Sequence, residues 1–522
     1  MRSLLTLSER GILWFSTLRR WRWVSVLLLM GVVGAGGAGA TTATWTGNTS
    51  TAWGTGTNWL GGTAPNNSGD EADISGTPSR TTMAQGATAI TLGNITFNTT
   101  SALTMSGTGG LTFQNSTSGA TGITLSNSGT LKISAGITLD DDFYVVNNGS
   151  AATTLTFSGG VATSATSNIT LSGTGSTAFT SNAITGAGSL TVSGSGSVTV
   201  STASTYTGNT TVNGGSFEAA ATLTTPNVFV NGGNFDYTGN NRLADTTDVT
   251  VAGGNYNLAT FKDTIDDLAL VGGNVTGSGT LTSGNFDLES GTMSAGLAGT
   301  ANVTKSTAGT VTLSGSGTFS GVVTVDDGTL ELSATSGSGV LAKVSSVVIN
   351  SGGTLLLGAS DQINGGALTA VTANMTLAGG TFDTWGFNQS SKTLGTLTLS
   401  ATSTINLGTG ASVIHFDVSS GQGWGAGSEL VVLGWNGTIA GSGGGTDELF
   451  FGTSTAGLTS GQVNQIVFVN PNGVAGNYSA EILSSGEVIA FKPIPEPETY
   501  AAGGVLALVA GWWEWRRRRT GG

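Results

Sequence analysis

A unit of two consecutive glycines, one intervening residue and a large apolar residue recurs along this chain and constrains its fold most strongly. The unit begins at Gly214, Gly232, Gly253, Gly272, Gly352 and Gly379. The first four units are 18, 21 and 19 residues apart, and the segments between them alternate apolar residues with threonine. A period near 20 residues in a β-rich chain is typical of a parallel β-solenoid. Glycine permits sharp corners, and the apolar residue points inward onto its counterpart one coil away.

The repeat predicts an all-β protein whose body, residues 89–410, is a right-handed parallel β-helix of about 16 coils. Residues 41–88 precede the body and are predicted to form an N-terminal cap. The period stops in residues 411–491. These residues are predicted to form a C-terminal β cap that shields the last strand edge from pairing with another chain.

Tryptophan is concentrated near the two ends of the body, where it allows two interpretations. Trp45, Trp53 and Trp59 can close the first open coil by covering its core, and Trp424 and Trp435 can do the same beyond residue 410. Exposed rings can instead bind carbohydrate by stacking. The candidate platforms are Trp53, Trp59, Trp424 and Trp435. Burial of the rings would favour capping, and exposure would favour carbohydrate binding.

Residues 1–40 have the features of a secretory signal peptide. A basic segment around Arg19 precedes an apolar core of about 11 residues at 23–33, which is too short to span a membrane. Ala38 and Ala40 then form the small-residue pair that precedes a cleavage site. Cleavage after this pair predicts a mature chain that begins at Thr41.

Residues 492–522 have the features of a sorting tail. The segment Pro495-Glu496-Pro497 precedes an apolar stretch of about 17 residues, 499–515, which is predicted to be a transmembrane helix of roughly 25 Å. Four arginines follow it and favour a cytoplasmic C-terminus. They are Arg516, Arg517, Arg518 and Arg519. A permanent membrane anchor is the alternative interpretation of the same features.

The proline–acid–proline segment, the single apolar span and the arginine cluster together resemble the PEP-CTERM signals of proteins that Gram-negative bacteria secrete. The resemblance implies that an exosortase-type enzyme processes the tail. It also implies an exported protein that the C-terminal helix holds transiently in the inner membrane. Its destination would be the cell surface or the extracellular matrix.

Two stretches of the body, 188–215 and 309–330, resemble the autotransporter-associated β-strand repeat. In that family a Gly-Thr-Leu strand, a Tyr-Thr-Gly turn and a second Gly-Thr-Leu strand follow one another. The first stretch contains Tyr206-Thr207-Gly208, whereas the second has Phe319-Ser320-Gly321 at the turn. The resemblance implies a β-helical, passenger-like body.

The predicted mature chain is strongly acidic. Between Thr41 and Pro495 it carries eight Lys and Arg against 26 Asp and Glu, a net charge of about −18. This charge disfavours nucleic acid and anionic membranes as partners. It is compatible with a calcium-rich exterior and with weak structural calcium sites, and no other cofactor is expected. Cysteine is absent, so the chain can form neither disulfides nor thiolate metal sites.

Side chains that could carry catalysis are few. His415 is the only histidine, and although Asp417 could orient it, we interpret it as a strand residue of the C-terminal cap. We interpret Asp140, Asp141 and Asp142 as a solvated corner, with a weak Ca²⁺ site as the alternative. No catalytic residue is assigned.

A charged group whose members are about 20 residues apart could lie on neighbouring coils. Its members are Arg242, Asp245, Asp248, Lys262, Asp263, Asp266 and Asp267. We interpret this group as a charged loop beside the solenoid. The alternative is the paired-carboxylate site of a polysaccharide-cleaving enzyme, which requires carboxylates that converge in a groove within about 10 Å.

The sequence therefore favours an exported, non-enzymatic β-solenoid that acts as a structural or adhesive element, with exopolysaccharide as its partner. Two alternatives stay open. One is a β-helical polysaccharide hydrolase or lyase, and the other is a carbohydrate-binding surface protein.

Overall fold

The computed structural model describes residues 40–494, apart from 116–119, 128, 151–153, 336–338 and 364–371. The predicted signal helix, including Ala38, lies outside these residues. So do residues 495–522 of the predicted sorting tail, with Pro495-Glu496-Pro497, the transmembrane helix and the arginines 516–519, whereas residues 492–494 belong to the strand Val488–Ile494. All the described residues belong to one compact unit.

The chain forms a parallel β-solenoid of about 15 turns with almost no helix. Each turn has three sides. It contains one strand of a first long sheet, called sheet A, one strand of a second long sheet, called sheet B, and a third side, after which the chain returns to sheet A. Strands of successive turns pair in parallel and in register, so that Leu131 lies between Leu103 and Leu155. The prediction of an all-β parallel solenoid is therefore confirmed.

Two long sheets contain most of the strands. Sheet A comprises Thr42–Trp45, Trp59–Leu60, Glu71–Ser75, Asn94–Asn98, Thr121–Leu125, Phe143–Asn147, Ile169–Gly173, Leu190–Val192, Thr210–Val212, Asn227–Val230, Asp248–Val251, Asp267–Leu270, Asn285–Leu288, Val303–Lys305, Val322–Val325, Ser346–Asn350, Asn374–Ala378 and Leu397–Ala401. Sheet B comprises Thr82–Ala84, Leu103–Ser106, Leu131–Ile133, Thr154–Phe157, Ser176–Phe179, Ser197–Val200, Ser216–Ala219, Asn234–Tyr237, Asn255–Asn257, Asn274–Thr276, Gly291–Met293, Thr310–Leu313, Gly328–Leu332, Gly353–Leu357, Thr381–Asp383, Ser403–Asn406, Leu430–Leu433, Ile466–Val469, Asn477–Ile482 and Val488–Ile494.

The third side carries three short sheets separated by irregular segments. Their strands are Ile90–Leu92, Leu111–Phe113, Ile137–Leu139, Val161–Thr163 and Ile184–Gly186, then Lys262–Thr264, Thr280–Thr282 and Gly296–Ala298, and finally Gln389–Leu394, Val413–Phe416 and Glu448–Phe451. The short helical segments are the 3₁₀ turns Gly56–Asn58, Thr455–Gly457 and Pro471–Gly473 and the α-helical turn Ser460–Val463. Within the described ranges, none of these helices has the length and apolar character needed to cross a membrane.

Inward side chains stack on one another from turn to turn. Val198, Phe217, Phe235, Tyr256 and Val275 occupy the same position of sheet B in five successive turns. The three aromatic rings of this row are fully buried, and their centroids are 5.1 and 5.5 Å apart. The last four members are the apolar residues of the first four Gly-Gly units, so the predicted inward stack is confirmed.

The glycines of these units allow successive turns to approach closely. A Cβ atom on Gly233 would lie 2.4 Å from the carbonyl oxygen of Gly215, and Gly233 also has a φ of 67°, which favours glycine. Gly273 does not have a left-handed φ, but a Cβ atom there would still lie 2.5 Å from the carbonyl oxygen of Gly254. Close contact between turns therefore requires a glycine at both positions. The positive φ that we predicted for these corners is found at Gly233 but not at Gly273.

Three tryptophans form a buried cluster in the first turn. Trp45, Trp53 and Trp59 are at most 3% exposed, and their ring centroids are between 4.6 and 6.5 Å apart. Parallel pairing already begins in this region, because Thr42 lies beside Glu71 of the next turn. The tryptophan cluster therefore fills the core of the turn in which the solenoid starts.

An antiparallel hairpin ends the described chain. Ile466–Val469 still pairs in parallel with the preceding turn, at Leu430–Leu433. Asn477–Ile482 then pairs antiparallel with Ile466–Val469, and Val488–Ile494 pairs antiparallel with Asn477–Ile482. Because the hairpin occupies the edge that Ile466–Val469 would otherwise expose, no further turn can add to sheet B there.

Candidate functional site

Of the tryptophans that the structure describes, Trp385 is the most exposed, at 67%. It follows the strand Thr381–Asp383 at a corner of the solenoid, and its φ of 52° is uncommon for a bulky side chain. Oδ1 of Asp383 accepts a hydrogen bond of 2.8 Å from the Trp385 N–H and so holds this corner. The unusual backbone conformation at an exposed indole motivates the hypothesis that this corner binds a ligand.

A cavity of about 610 Å³ lies at the same corner of the later turns. Its wall includes Gly408, Thr409, Gly410, Gly434, Trp435, Asn436, Asp447, Asn470 and Asn472. Trp385 adjoins this wall, because a Cβ atom on Gly408 would lie 2.6 Å from the carbonyl carbon of Trp385. The surface formed by Trp385 and the cavity wall is called the Trp385 corner below.

Two buried polar groups belong to the cavity wall. Asp447 is 1% exposed, and its carboxylate accepts hydrogen bonds of 2.8 Å from the N–H groups of Ser412 and Asn436. Burial raises the pKa of Asp447, although these two hydrogen bonds oppose the increase. Trp435 is also 1% exposed, and among the described residues its Nε1–H has no acceptor. Both groups lie beneath the surface of the wall, whereas the amides of Asn436, Asn470 and Asn472 are exposed and can bind hydroxyl groups.

The charged group predicted to lie beside the solenoid is divided between the outside and the inside of the coil wall. Asp248, Asp266 and Asp267 are exposed, and partial burial together with its two neighbours raises the pKa of Asp267. Asp263 is instead 2% exposed and occupies the inward position that Leu281 takes in the next turn. The interpretation as a solvated loop is therefore wrong for Asp263. Asp248, Asp266 and Asp267 lie close to one another on the outside, whereas Asp263 faces the interior.

Hydrogen bonds hold the Asp263 carboxylate in the interior. Oδ2 accepts the N–H groups of Arg242 and Leu243 at 3.1 and 3.0 Å, and Oδ1 accepts the N–H of Thr264 at 2.8 Å. Burial raises the pKa of Asp263, while a hydrogen bond from Tyr237 and the three backbone bonds oppose the increase. Every partner in this set comes from the wall or the core of the solenoid, so the role of Asp263 is structural.

The Asp140–Asp142 segment is a corner tied to neighbouring turns. Asp141 accepts a hydrogen bond of 2.6 Å from the Asn115 N–H, and Asp142 accepts one of 2.9 Å from the Asn168 N–H. Asp140 and Asp142 are exposed, which confirms the interpretation as a solvated corner. In the part of the chain that the structure covers, no group of three or more His, Asp or Glu residues is placed to hold a metal ion.

His415 lies in the strand Val413–Phe416, and its ring stacks on that of Phe450 with centroids 4.4 Å apart. Burial lowers the pKa of His415, and the nearby Glu448 opposes the decrease. Asp417 follows the strand, is exposed, and accepts a backbone hydrogen bond from the next residue. The interpretation of His415 as a strand residue is confirmed.

The tryptophans considered as carbohydrate platforms are covered. Trp53, Trp59 and Trp435 are buried, so the platform interpretation is wrong for them. Trp424 is half-buried, and its Nε1–H donates a hydrogen bond of 3.1 Å to the carbonyl oxygen of Leu397. These rings pack in the core because the turns at the ends of the solenoid need large side chains to fill them.

Thr41, the predicted first residue of the mature chain, lies where the first turn begins. Its N–H donates a hydrogen bond of 2.8 Å to Oδ1 of Asp70, and its carbonyl oxygen accepts one of 2.8 Å from the Glu71 N–H. At the predicted cleavage position the chain is therefore already hydrogen-bonded to Asp70 and Glu71 of the next turn.

No protein-family model, curated protein or solved structure matches the chain. The fold defines its class as a parallel β-solenoid. The function has to be argued from the surface of that solenoid and from the Trp385 corner.

Proposed function

We propose that the chain is an exported β-solenoid that serves as a structural or adhesive element of the cell surface or extracellular matrix, in association with exopolysaccharide. In this proposal a signal peptidase removes residues 1–40, and an exosortase-type enzyme recognises the tail at 492–522. The observation that carries the proposal is the continuous stack of turns, because its interior is filled by side chains and its outer faces are long and repetitive.

The outer faces include rows of short polar side chains. Thr170, Thr191 and Thr211 occupy one outward row of sheet A in three successive turns. The amide of Asn227 donates a hydrogen bond of 2.9 Å to the side chain of Asn209, and Asn231 makes the same bond to Asn213. An extended surface with one repeating element per turn fits a polymer with its own repeat better than it fits a single small molecule.

Delivery to the surface is tested in the cell that makes the protein. Removal of the exosortase-type enzyme should leave the chain in the inner membrane, whereas the intact cell should carry it at the surface or in the matrix. Arg516→Ala together with Arg517→Ala, Arg518→Ala and Arg519→Ala should have the same effect in cells that retain the enzyme. Unchanged delivery in both cases would contradict the proposed sorting.

The Trp385 corner favours direct binding of carbohydrate as the means of association. The face of an exposed indole can stack on the apolar face of a sugar ring. The cavity wall at this corner carries the exposed amides of Asn436, Asn470 and Asn472, which can bind sugar hydroxyls. Because the mature chain is strongly acidic, we expect it to prefer neutral sugars to uronic acids.

Calorimetric titration of the full chain with cellohexaose, a neutral oligosaccharide, and with a galacturonate hexamer tests this surface. Trp385→Gly should weaken binding of cellohexaose at least tenfold, with unchanged or higher thermal stability, because glycine favours a φ of 52°. The matched control is Tyr144→Ala, which removes an aromatic ring that is 42% exposed on sheet A. Equal affinity of wild type and Trp385→Gly would exclude this corner.

The hydrolase or lyase alternative is less well supported. It requires paired carboxylates in a groove, whereas Asp263 is buried and bonded to the backbone, and Asp248 and Asp267, although close together, are exposed. The right-handed winding of the solenoid stays a prediction from the chirality of the polypeptide chain.

A further inference from the structure

Asp70 is a fully buried carboxylate at the start of the solenoid. Its Oδ1 accepts hydrogen bonds from the Thr41 N–H at 2.8 Å and from the Thr41 hydroxyl at 3.0 Å. Its Oδ2 accepts the N–H groups of Asn66 and Asn67 at 3.0 Å and the Asn67 side-chain amide at 3.1 Å. All five donors are neutral while the chain continues before Thr41. A buried carboxylate is normally paired with a cation, because its desolvation is costly.

The predicted processing step would turn one of these donors into a cation. Hydrolysis of the Ala40–Thr41 peptide bond consumes one water molecule, leaves a carboxylate on Ala40 and frees an amino group on Thr41. An α-amino group has an ordinary pKa of about 7.7–8.0, so much of it is protonated at neutral pH and more when an anion lies beside it. The nitrogen that gains this charge is the one 2.8 Å from Asp70.

We propose that Asp70 is the docking site for the α-ammonium group of the mature N-terminus, so that removal of the leader locks the first turn of the solenoid. The inference rests on the proposed export, because export supplies the peptidase that cuts this bond. The bond from a charged donor to the carboxylate is stronger than the neutral amide bond that it replaces. A chain that starts one residue earlier would carry its charge away from Asp70.

The surroundings position Thr41 for this pairing. Its carbonyl oxygen accepts the Glu71 N–H at 2.8 Å, and the strand that follows pairs residue by residue with the next turn, starting at Thr42 and Glu71. The carboxylates facing this strand are Asp70, Glu71 and Asp73, and the last two accept hydrogen bonds from threonine hydroxyls of the strand at 3.0 and 3.3 Å. Asp70 contacts Thr41 and Glu71 lies beside Thr42, so two anions close to position 41 favour a cation there, whereas Asp73 lies further along, opposite Thr44.

The ionisation of Asp70 fits this role. Burial raises the pKa of Asp70, but the hydrogen bonds from Thr41, Asn66 and Asn67 outweigh burial and hold the pKa below its usual range. The carboxyl group is therefore charged at neutral pH, as the partner of an ammonium group must be.

A full chain in which Ile-Glu-Gly-Arg replaces residues 37–40 tests the lock, because factor Xa then releases Thr41 as the first residue. We expect the amide hydrogen of Glu71, which donates to the Thr41 carbonyl, to exchange at least tenfold more slowly after cleavage. The matched control carries one additional alanine before Thr41, so that cleavage places the ammonium group one residue away. In this control we expect cleavage to leave the exchange rate unchanged.

The reactivity of the new amino group provides a second readout. At pH 8 the Thr41 amine should react with acetic anhydride at least tenfold more slowly than the alanine amine of the control, because pairing with Asp70 keeps it protonated. Asp70→Asn should abolish the difference. Equal exchange before and after cleavage, or equal reactivity in the two forms, would overturn the lock. Native cleavage at another bond would instead contradict the proposed export signal, since factor Xa creates the Thr41 terminus independently.

Discussion

The hydroxyl groups of Tyr237 and Tyr256 form a hydrogen bond with each other inside the solenoid, across one turn. Both rings are buried, and their centroids are 5.4 Å apart at an angle of 83°. Burial, and then the nearby Asp263, raises the pKa of Tyr256 well above its usual value. The pKa of Tyr237 is also raised well above its usual value, by burial first and then by Tyr256 and Asp263. Both hydroxyls therefore stay protonated. Tyr237 also hydrogen-bonds to Asp263, so a polar contact joins sheet B to the third side.

Truncation of the aromatic row should be costly and local. Phe235→Ala should reduce the free energy of unfolding by about 3–5 kcal/mol, because the rings of Phe217 and Tyr256 cannot collapse into the space that it leaves. Solenoid stability is a sum of contacts between neighbouring turns, so hydrogen exchange should show lost protection near that turn. The exposed Asp266→Ala is the control and should change stability by less than ~0.5 kcal/mol. If the Phe235→Ala variant kept the hydrogen-exchange protection of the wild type around residue 235, the proposed contribution of the aromatic stack would be contradicted.

The buried Asp263 should make stability depend on pH. Its pKa is raised in the folded protein, so between its usual value of 3.8 and the raised value the folded state binds the proton more readily than the unfolded state. The contribution of Asp263 is therefore largest at low pH and is lost as the pH rises through this interval. Asp263→Asn should flatten that part of the profile, measured by urea unfolding from pH 3.5 to 7.

The exposed Asp140→Asn serves as the control for the pH experiment and should leave the slope of the profile unchanged. Asp70 acts in the opposite sense, because its pKa is lowered, and its contribution is lost as the pH falls through the lowered pKa. Parallel profiles for wild type and Asp263→Asn would show that Asp263 does not carry a raised pKa.

Two glycines with the same backbone conformation separate strain from contact between turns. Gly76 and Gly233 have φ values of 68° and 67°, but a Cβ atom on Gly76 would meet nothing within 4 Å. Gly76→Ala should therefore cost only the ~1 kcal/mol of a left-handed alanine. Gly233→Ala should cost at least ~1 kcal/mol more, because its Cβ meets the Gly215 carbonyl. If Gly76→Ala and Gly233→Ala lowered the stability equally in thermal unfolding, the close contact between turns at Gly233 would contribute nothing to the cost.

The ends of the exported form should be those that the targeting segments define. Mass spectrometry of protein recovered from the cell surface should find Thr41 as the first residue and a C-terminus near Pro495-Glu496-Pro497. Residues 512–519 should be missing from it, because processing removes the apolar span with its arginines. Recovery of these residues in released protein would instead indicate a permanent anchor.

The fold could be predicted because the same pattern of glycines and inward apolar residues recurs in many turns. The Gly-Gly units place Phe217, Phe235 and Tyr256 at one position of successive turns, and a single misread turn would not change that conclusion. Polar residues that point inward do not recur at fixed positions, so the repeat does not predict them. The alternation at Lys262, Asp263 and Thr264 contains the inward position of Asp263, but the partners that stabilise the carboxylate come from the preceding turn.

Lys305 shows the same limit. It lies in an inward row between Leu288 and Val325, and its Nζ donates to the carbonyl oxygens of Thr307 and Asp327. From the sequence alone a lysine would be placed on the outside. Hydrogen bonds to carbonyl oxygens of its own turn and of the next turn stabilise Lys305 inside. Trp385 presents the converse case, since its exposure depends on a corner geometry that no periodicity specifies.

The antiparallel hairpin after Val469 determines how the solenoid responds to tension at its C-terminal end. A force that draws residue 494 away from the body first opens the pair between Asn477 and Ile494, and then the pairs towards Val488, one after another. Bonds that open in sequence resist less force than bonds that share a load. The hairpin would therefore open before the parallel turns do when the chain is pulled at this end.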